Sequence, residues 1–208
     1  MNRVDPDKDG KMLPLVEEFY SVQGEGCNTG KAAYFIRVGG CDICCSWCDT
    51  KHSWNAALHP LVPVESIVSN VMAAGADSVV VTGGEPLMWN MDPLCRLLKV
   101  NGIKTFLETS GAYPLTGTWD WITLSPKKGS PPMPEIWSMA DELKVVIQNG
   151  IDFEDAEVYR QKAGPRCMLL LQPEWSRYGD MIGVITEYVK KHPEWRVSLQ
   201  AHKFMHIP

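Results

Sequence analysis

No apolar run in this chain approaches the roughly 18 residues a membrane-crossing helix needs. Positive charge is not in excess either: 20 Lys and Arg stand against 25 Asp and Glu, a formal net charge of −5. A mildly acidic chain has no broad field to draw in nucleic acid. No internal repeat, linker or low-complexity tract breaks the sequence, so residues 1–208 are expected to form one domain around one sizeable core. Met1 to Lys11 is charged and lacks the apolar centre of a signal peptide. A cytoplasmic protein, making contact with neither membrane nor nucleic acid, is therefore the expectation. At 45% apolar and 22% charged residues, disorder and a collagen-like chain are excluded.

Cysteine is present, and unevenly so. Of seven cysteines, four fall between Cys41 and Cys48. A secreted disulfide framework would spread them, whereas in a reducing compartment a tight cluster argues for metal ligation. Cys27, Cys95 and Cys167 stand apart and read as buried or partly buried free thiols.

Short apolar runs at Ala32–Val38, Ser78–Thr82 and Lys104–Glu108 read as strands without a clear period of two. Trp121–Leu124, Glu142–Ile147, Cys167–Leu171 and Trp195–Gln200 are further candidates. Such runs indicate strands covered on both faces, as in a parallel sheet. Helical spacing lies between several of them. Val64, Ile67, Val68 and Val71 share one face, Leu94, Leu97 and Leu98 another, and Met181, Val184, Ile185 and Tyr188 a third. Asp152–Lys162 is a weaker fourth helix, and Lys51–Pro63 and Gly129–Met133 read as loops. Alternating strands and helices imply an α/β fold. About six core parallel strands fall short of a closed eightfold barrel of about 250 residues. The expected architecture is an incomplete, TIM-like β/α barrel, with ligands at the carboxyl ends of the strands.

The segment Gly40-Cys41-Asp42-Ile43-Cys44-Cys45-Ser46-Trp47-Cys48-Asp49-Thr50 follows directly on the Ala32–Val38 strand. Thiolates suit zinc, copper(I) or iron–sulfur clusters. A four-iron cluster takes one cysteine per iron, so three cysteines leave one iron open. Spacing by itself permits both Cys41/Cys45/Cys48 and Cys41/Cys44/Cys48. A second loop, Thr82-Gly83-Gly84-Glu85-Pro86, follows the next core strand. Its paired glycines allow close approach to the backbone, and Glu85 can accept a hydrogen bond from an ammonium group.

Together these two loops resemble the signature of the radical S-adenosylmethionine (SAM) superfamily: C-x3-C-x2-C with Trp47 before the last cysteine, then a GGE motif. That resemblance selects Cys41, Cys45 and Cys48 as ligands of a [4Fe-4S] cluster and leaves Cys44 aside. It implies an open iron that chelates SAM and cleaves it to a 5′-deoxyadenosyl radical, which abstracts a substrate hydrogen. Gln23-Gly24-Glu25-Gly26, Arg37, Trp47-Cys48-Asp49-Thr50 and Glu108-Thr109-Ser110-Gly111 narrow the match, as do Ser125-Pro126-Lys127 and Glu142-Leu143-Lys144. So do Gln172-Pro173, Trp195–Gln200, His202-Lys203 and Ile207-Pro208. From about Glu17 to Pro208 the chain resembles the 7-carboxy-7-deazaguanine synthase family.

That family implies ring contraction of 6-carboxy-5,6,7,8-tetrahydropterin to 7-carboxy-7-deazaguanine with loss of ammonia, on the route to queuosine. It also implies Mg²⁺, a homodimer and an external electron donor such as flavodoxin or ferredoxin. Thr50 maps to the magnesium ligand. Trp47, Cys48, Asp49, Gly83, Gly84, Glu85, Ser110, Ser125, Pro126, Lys127, Gln172 and Pro173 map to SAM contacts. Val22, Gln23, Gly24, Arg37, Thr82 and the carboxylate of Pro208 map to the substrate. Ala201 stands where the family tail has threonine. His52 and Trp54, near the cluster, read equally as a shield against solvent and as loop packing, and no role attaches to Cys44 or His202. Two other readings use the same residues. A glycyl-radical-activating enzyme would lack the Gln23-Gly24 segment and the terminal Pro208. A non-enzymatic iron–sulfur or zinc-binding protein would bind metal without cleaving SAM.

Overall fold

The structure is a computed structural model and describes residues 9–208. The first eight residues of the charged stretch Met1–Lys11 lie outside it.

The strands are β1 (Met12–Val22), β2 (Ala32–Val38), β3 (Leu61–Pro63), β4 (Ser78–Gly83), β5 (Lys104–Thr109), β6 (Trp121–Leu124), β7 (Glu142–Ile147), β8 (Met168–Pro173) and β9 (Trp195–Val197). The helices are α1 (Val64–Ala73), α2 (Asp92–Val100), α3 (Ile136–Met139), α4 (Asp152–Arg160), α5 (Tyr178–Lys191) and α6 (Ala201–Met205). Among the described residues, one nine-stranded sheet runs in the order β3-β1-β2-β4-β5-β6-β7-β8-β9. From β2 through β4 to β9 every neighbouring pair is parallel. This is the open, incomplete barrel that the alternation of strands and helices predicts.

Two strands were not legible. β1 pairs antiparallel with both β2 and β3. Its sequence carries Pro14 and the pair Glu17-Glu18, and its register shifts between Leu15 and Glu17. Proline and a bulge are tolerated near a sheet margin, and both hide a strand from pattern reading. β3 lies at the end of the Lys51–Pro63 stretch read as loop. Its three residues pair with Met12–Pro14, a partner remote in sequence.

A period of two is present after all, and it sorts residues between two buried faces. Tyr34, Ile36 and Val38 of β2, Val79 and Val81 of β4, and Leu13 of β1 pack with α1 and α2 in one apolar cluster. Leu107, Leu124, Leu143, Val145, Ile147 and Leu171 continue that face beneath α3, α4 and α5. The intervening residues, including Phe35, Arg37, Val80, Thr82, Glu108, Lys144, Val146 and Gln172, line a cavity on the concave side. Several are apolar, so alternation in polarity alone is faint. On α5, Met181 and Ile185 are buried, but Val184 is 49% exposed, so that face is narrower than expected.

Candidate active site

The cysteine loop begins where β2 ends, and neighbouring backbone shapes it. Gly40 N–H donates to Ser53 O and Cys41 N–H to Trp54 O, at 2.7 and 3.0 Å. Those bonds fold Lys51–Trp54 back beneath the loop. Cys48 N–H donates to Cys45 O at 3.0 Å. Trp89 Nε1–H braces Gly39 O at 2.9 Å, and Tyr113 O–H donates to Asp42 at 2.5 Å. His59 Nε2 contacts His52 O at 2.9 Å.

The GGE loop packs directly on this one. Gly84 N–H donates to Val38 O and Glu85 N–H to Gly40 O, at 2.9 and 2.7 Å. A Cβ on Gly83, whose φ is +144°, would fall 2.1 Å from Val38 O, and one on Gly84 2.2 Å from Gly40 O. Both glycines therefore serve the approach of two loops, not only that of a ligand. Glu85 is 1% exposed. Its carboxylate accepts from Leu87 N–H, Thr109 O–H, Ser110 N–H and Ser110 O–H. Four donors from the protein hold the carboxylate in place, so Glu85 anchors the loop, and it also lines the cavity on the concave side.

Both loops border a cavity of ≈ 410 Å³ at the carboxyl ends of the strands. Cys41, Cys45 and Cys48 line it; Cys44 does not. Cys44 is exposed, has φ of +50°, and its thiol turns to Cys41 O. Of the SAM and magnesium positions, Trp47, Asp49, Thr50, Gly83, Gly84, Glu85, Ser110, Ser125, Lys127, Gln172 and Pro173 face this cavity. Val22, Gln23, Gly24, Arg37, Thr82 and Pro208, expected at the substrate, face it as well. Pro126 does not: it lines a second hollow of ≈ 310 Å³ behind Cys45 and Trp47.

Three side chains are more engaged than expected. Arg37 Nε is paired with Glu17 at 2.6 Å, although its two terminal nitrogens carry no hydrogen bond among the described residues. Gln172 donates to Glu25 and accepts from Ser198. Asp49 holds the tail through Gln200 and Lys203. The tail thereby closes one side of the cavity. Ala201 N–H donates to Gly24 O at 2.8 Å, and a Cβ on Gly24 would strike His202 Nδ1 at 2.3 Å. Ser21 O–H reaches Pro208 O at 3.3 Å.

A charged network without an assigned role crosses the cavity wall. Lys144 Nζ donates to Glu25 at 2.6 Å and to Glu108 at 2.9 Å. Burial disfavours its ammonium, but the carboxylates of Glu108, Glu25 and Glu142 overturn that and raise its pKa. Burial also opposes the charge of Glu25; Lys144, with hydrogen bonds from Gln200 and Gln172, outweighs it and holds the carboxyl at about 2. For Glu108, burial dominates over Lys144, and Glu142 and Glu25 add to it, so its carboxyl is pushed up to about 7. The signal for this network was a charged residue inside an apolar strand, Lys144 between Leu143 and Val145.

The three-thiol set fits a cluster better than a single ion. Tetrahedral zinc, with bonds of about 2.3 Å, holds its sulfurs roughly 4 Å apart. Among the described residues, the only trio of such ligands within 4.8 Å of one another is Glu157, His192 and Glu194, away from this cavity. Three thiols spread around a cavity suit one cysteine per iron. Burial pushes the thiols of Cys41 and Cys45 up, so ligation must displace their protons. The isolated Cys27, Cys95 and Cys167 are free thiols whose pKa burial raises to about 11, 12 and 12.

Known proteins agree with this architecture. The radical SAM superfamily model matches residues 35–149. A 7-carboxy-7-deazaguanine synthase from Flavobacterium psychrophilum is 54% identical over 96% of this chain and 94% of its own length. One from Synechocystis is 47% identical over 93% of each. The crystal structure of QueE from Escherichia coli superposes with a TM-score of 0.83 at 30% identity, covering 94% of this chain and 96% of that one. By fold, cysteine loop and sequence alike, the chain belongs to the 7-carboxy-7-deazaguanine synthase family of the radical SAM superfamily.

Proposed function

We propose that this protein contracts 6-carboxy-5,6,7,8-tetrahydropterin to 7-carboxy-7-deazaguanine with loss of ammonia. The observation that carries the reading is the single cavity shared by Cys41, Cys45, Cys48, the GGE loop, Gln23-Gly24 and the tail. When bound, the cluster and SAM supply the chemistry of hydrogen abstraction.

In this reading Cys41, Cys45 and Cys48 hold a [4Fe-4S] cluster. Trp47, Asp49, the backbone of Gly83–Gly84, Ser110, Ser125, Lys127 and Pro173 surround SAM. Lys127 is already directed inward, donating to Ser125 and lying 5.5 Å from the Trp47 ring. The terminal nitrogens of Arg37 grip the substrate carboxylate through parallel hydrogen bonds. Gln23, Gly24, Val22, Thr82 and Pro208 border the pterin. Thr50 Oγ1 supplies a hard oxygen to Mg²⁺ alongside that carboxylate and water. A homodimer, a flavodoxin- or ferredoxin-like donor and a cytoplasmic location complete the proposal. No helix among the described residues is long and apolar enough to cross a membrane.

The test is anaerobic reconstitution with iron and sulfide, followed by SAM, reductant and the carboxytetrahydropterin. 7-Carboxy-7-deazaguanine is the expected product. SAM cleavage with the pterin left intact would sink the assignment.

A further inference from the structure

The two carboxylates that meet Lys144 are held very differently. Glu25 uses both oxygens: Oε1 accepts from Gln200, and Oε2 from Lys144 and Gln172. Glu108 uses one: Oε2 accepts from Lys144, and Oε1 has no hydrogen bond among the described residues. Its side chain is 20% exposed, and what it faces is the cavity. A carboxylate with three donors stays an anion. A carboxyl with one donor and one open oxygen is able to exchange a proton with a ligand.

We propose that Glu108 is a catalytic acid–base, giving a proton to the departing amine and recovering one from the adjacent carbon. This rests on the reading of the substrate as a carboxylated tetrahydropterin. Exchanging a ring nitrogen for carbon and aromatising the smaller ring requires that an amine leave and that one C–H proton be lost. The C–N bond breaks with its electron pair on nitrogen, which takes the Glu108 proton and departs as ammonia. The neighbouring C–H bond then gives its proton to the Glu108 carboxylate, and its electron pair becomes the ring C=C bond. Glu108 ends as it began, and the step needs no oxidant or reductant.

Alternatives on the cavity wall are weaker. Glu85 is filled by four protein donors. Glu174 accepts from Ser176 twice. Arg37 does not release a proton. His202 is pressed against Gly24, and burial lowers its pKa, so near neutrality it holds no acidic proton to give. The groups that bear on Glu108 are Lys144 and Glu142 of β7, Glu25 after β1, and Lys127 after β6. Together they divide the two carboxyls, Glu25 down to about 2 and Glu108 up to about 7, the pattern expected of an anion and a proton carrier sharing one site.

The test compares reconstituted wild type, Glu108→Gln and Glu108→Asp, using a pterin deuterated at the carboxylate-bearing carbon. Product and ammonia are expected to fall about 100-fold or more in Glu108→Gln. Deuterium transfer from the pterin to SAM or 5′-deoxyadenosine should continue, so the ratio of transfer to product rises. Glu108→Asp should recover part of the product. Pterin affinity for the reconstituted Gln variant should change less than about tenfold, because the amide keeps a hydrogen bond to Lys144. Product within about threefold of wild type, or transfer and product falling together, overturns the proposal. Should Glu108→Gln fail to fold, Glu108→Asp carries the same ratio test. A wild type that cleaves SAM and leaves the pterin intact instead defeats the substrate reading, and the proposal with it.

Discussion

The same strands present two buried faces, and the two obey different rules. Toward the helices, Leu143, Val145 and Ile147 of β7 are at most 4% exposed, among apolar neighbours. Each such side chain contributes roughly 1.5–3 kcal/mol by leaving water. On the opposite face of that strand, Glu142 and Lys144 are 1% and 5% exposed among other charges, and Lys144 lines the cavity. Burying those charges is unfavourable unless partners surround them. One face stabilises through shape and area. The other is held only by reciprocal pairing, and Oε1 of Glu142 remains without a partner among the described residues. A site that must grip a charged ligand has its polar groups in place before the ligand arrives.

Substitutions on each face break or sharpen this contrast. The largest effect is expected at the cysteine loop. Cys45→Ala should abolish cluster assembly and all turnover, while Cys44→Ala assembles a cluster, as read by iron and sulfide content. The reverse result would mean that the ligand spacing is C-x2-C-x3-C.

Next comes Lys144→Met, which strands three carboxylates around an apolar side chain. A loss of about 3–5 kcal/mol in denaturant unfolding is expected, with loss of product. Its neighbour Leu143→Ala should cost about 2–5 kcal/mol through a core void, yet leave product formation per folded molecule near wild type. Equal damage to activity from both would erase the distinction between faces.

Smaller and opposite in sign are the pH effects of the paired glutamates. Glu25 has a depressed pKa, so its stabilisation is present above about 4.5 and is lost as pH falls towards about 2. Glu108 has a raised pKa, so stability declines as pH rises from about 4.5 through about 7. Urea midpoints measured across pH 3–8 should therefore decline less on the acid side in Glu25→Gln and less on the alkaline side in Glu108→Gln. At the small end, Val184→Ser on the exposed face of α5 should change stability by no more than about 0.5 kcal/mol.

Residue pattern alone carried a large part of this protein. Local signals placed β2, β6 and β7 at their observed limits, along with the faces of α1 and α2, because buried parallel strands and amphipathic helices record their surroundings in nearby residues. The clustered cysteines and the GGE loop were equally plain, since each occupies a single continuous loop. β1 and β3 were not, because their partners lie far away in the chain and β1 carries a proline and a bulge.

What only the tertiary structure decided is how scattered polar residues divide their work. Glu25, Glu108, Lys144, Gln172 and Gln200 come from five separate segments, and none of their pairings has a local spacing to betray it. The glycines of the GGE loop and Gly24 likewise owe their identity to backbone and histidine atoms that meet them only once the sheet has curved and the tail has returned. Sequence determined which chemical groups this protein possesses and the fold that carries them. Which carboxylate is locked and which has an open oxygen depends on long-range contacts, because solvent exclusion and charge pairing are properties of the assembled cavity.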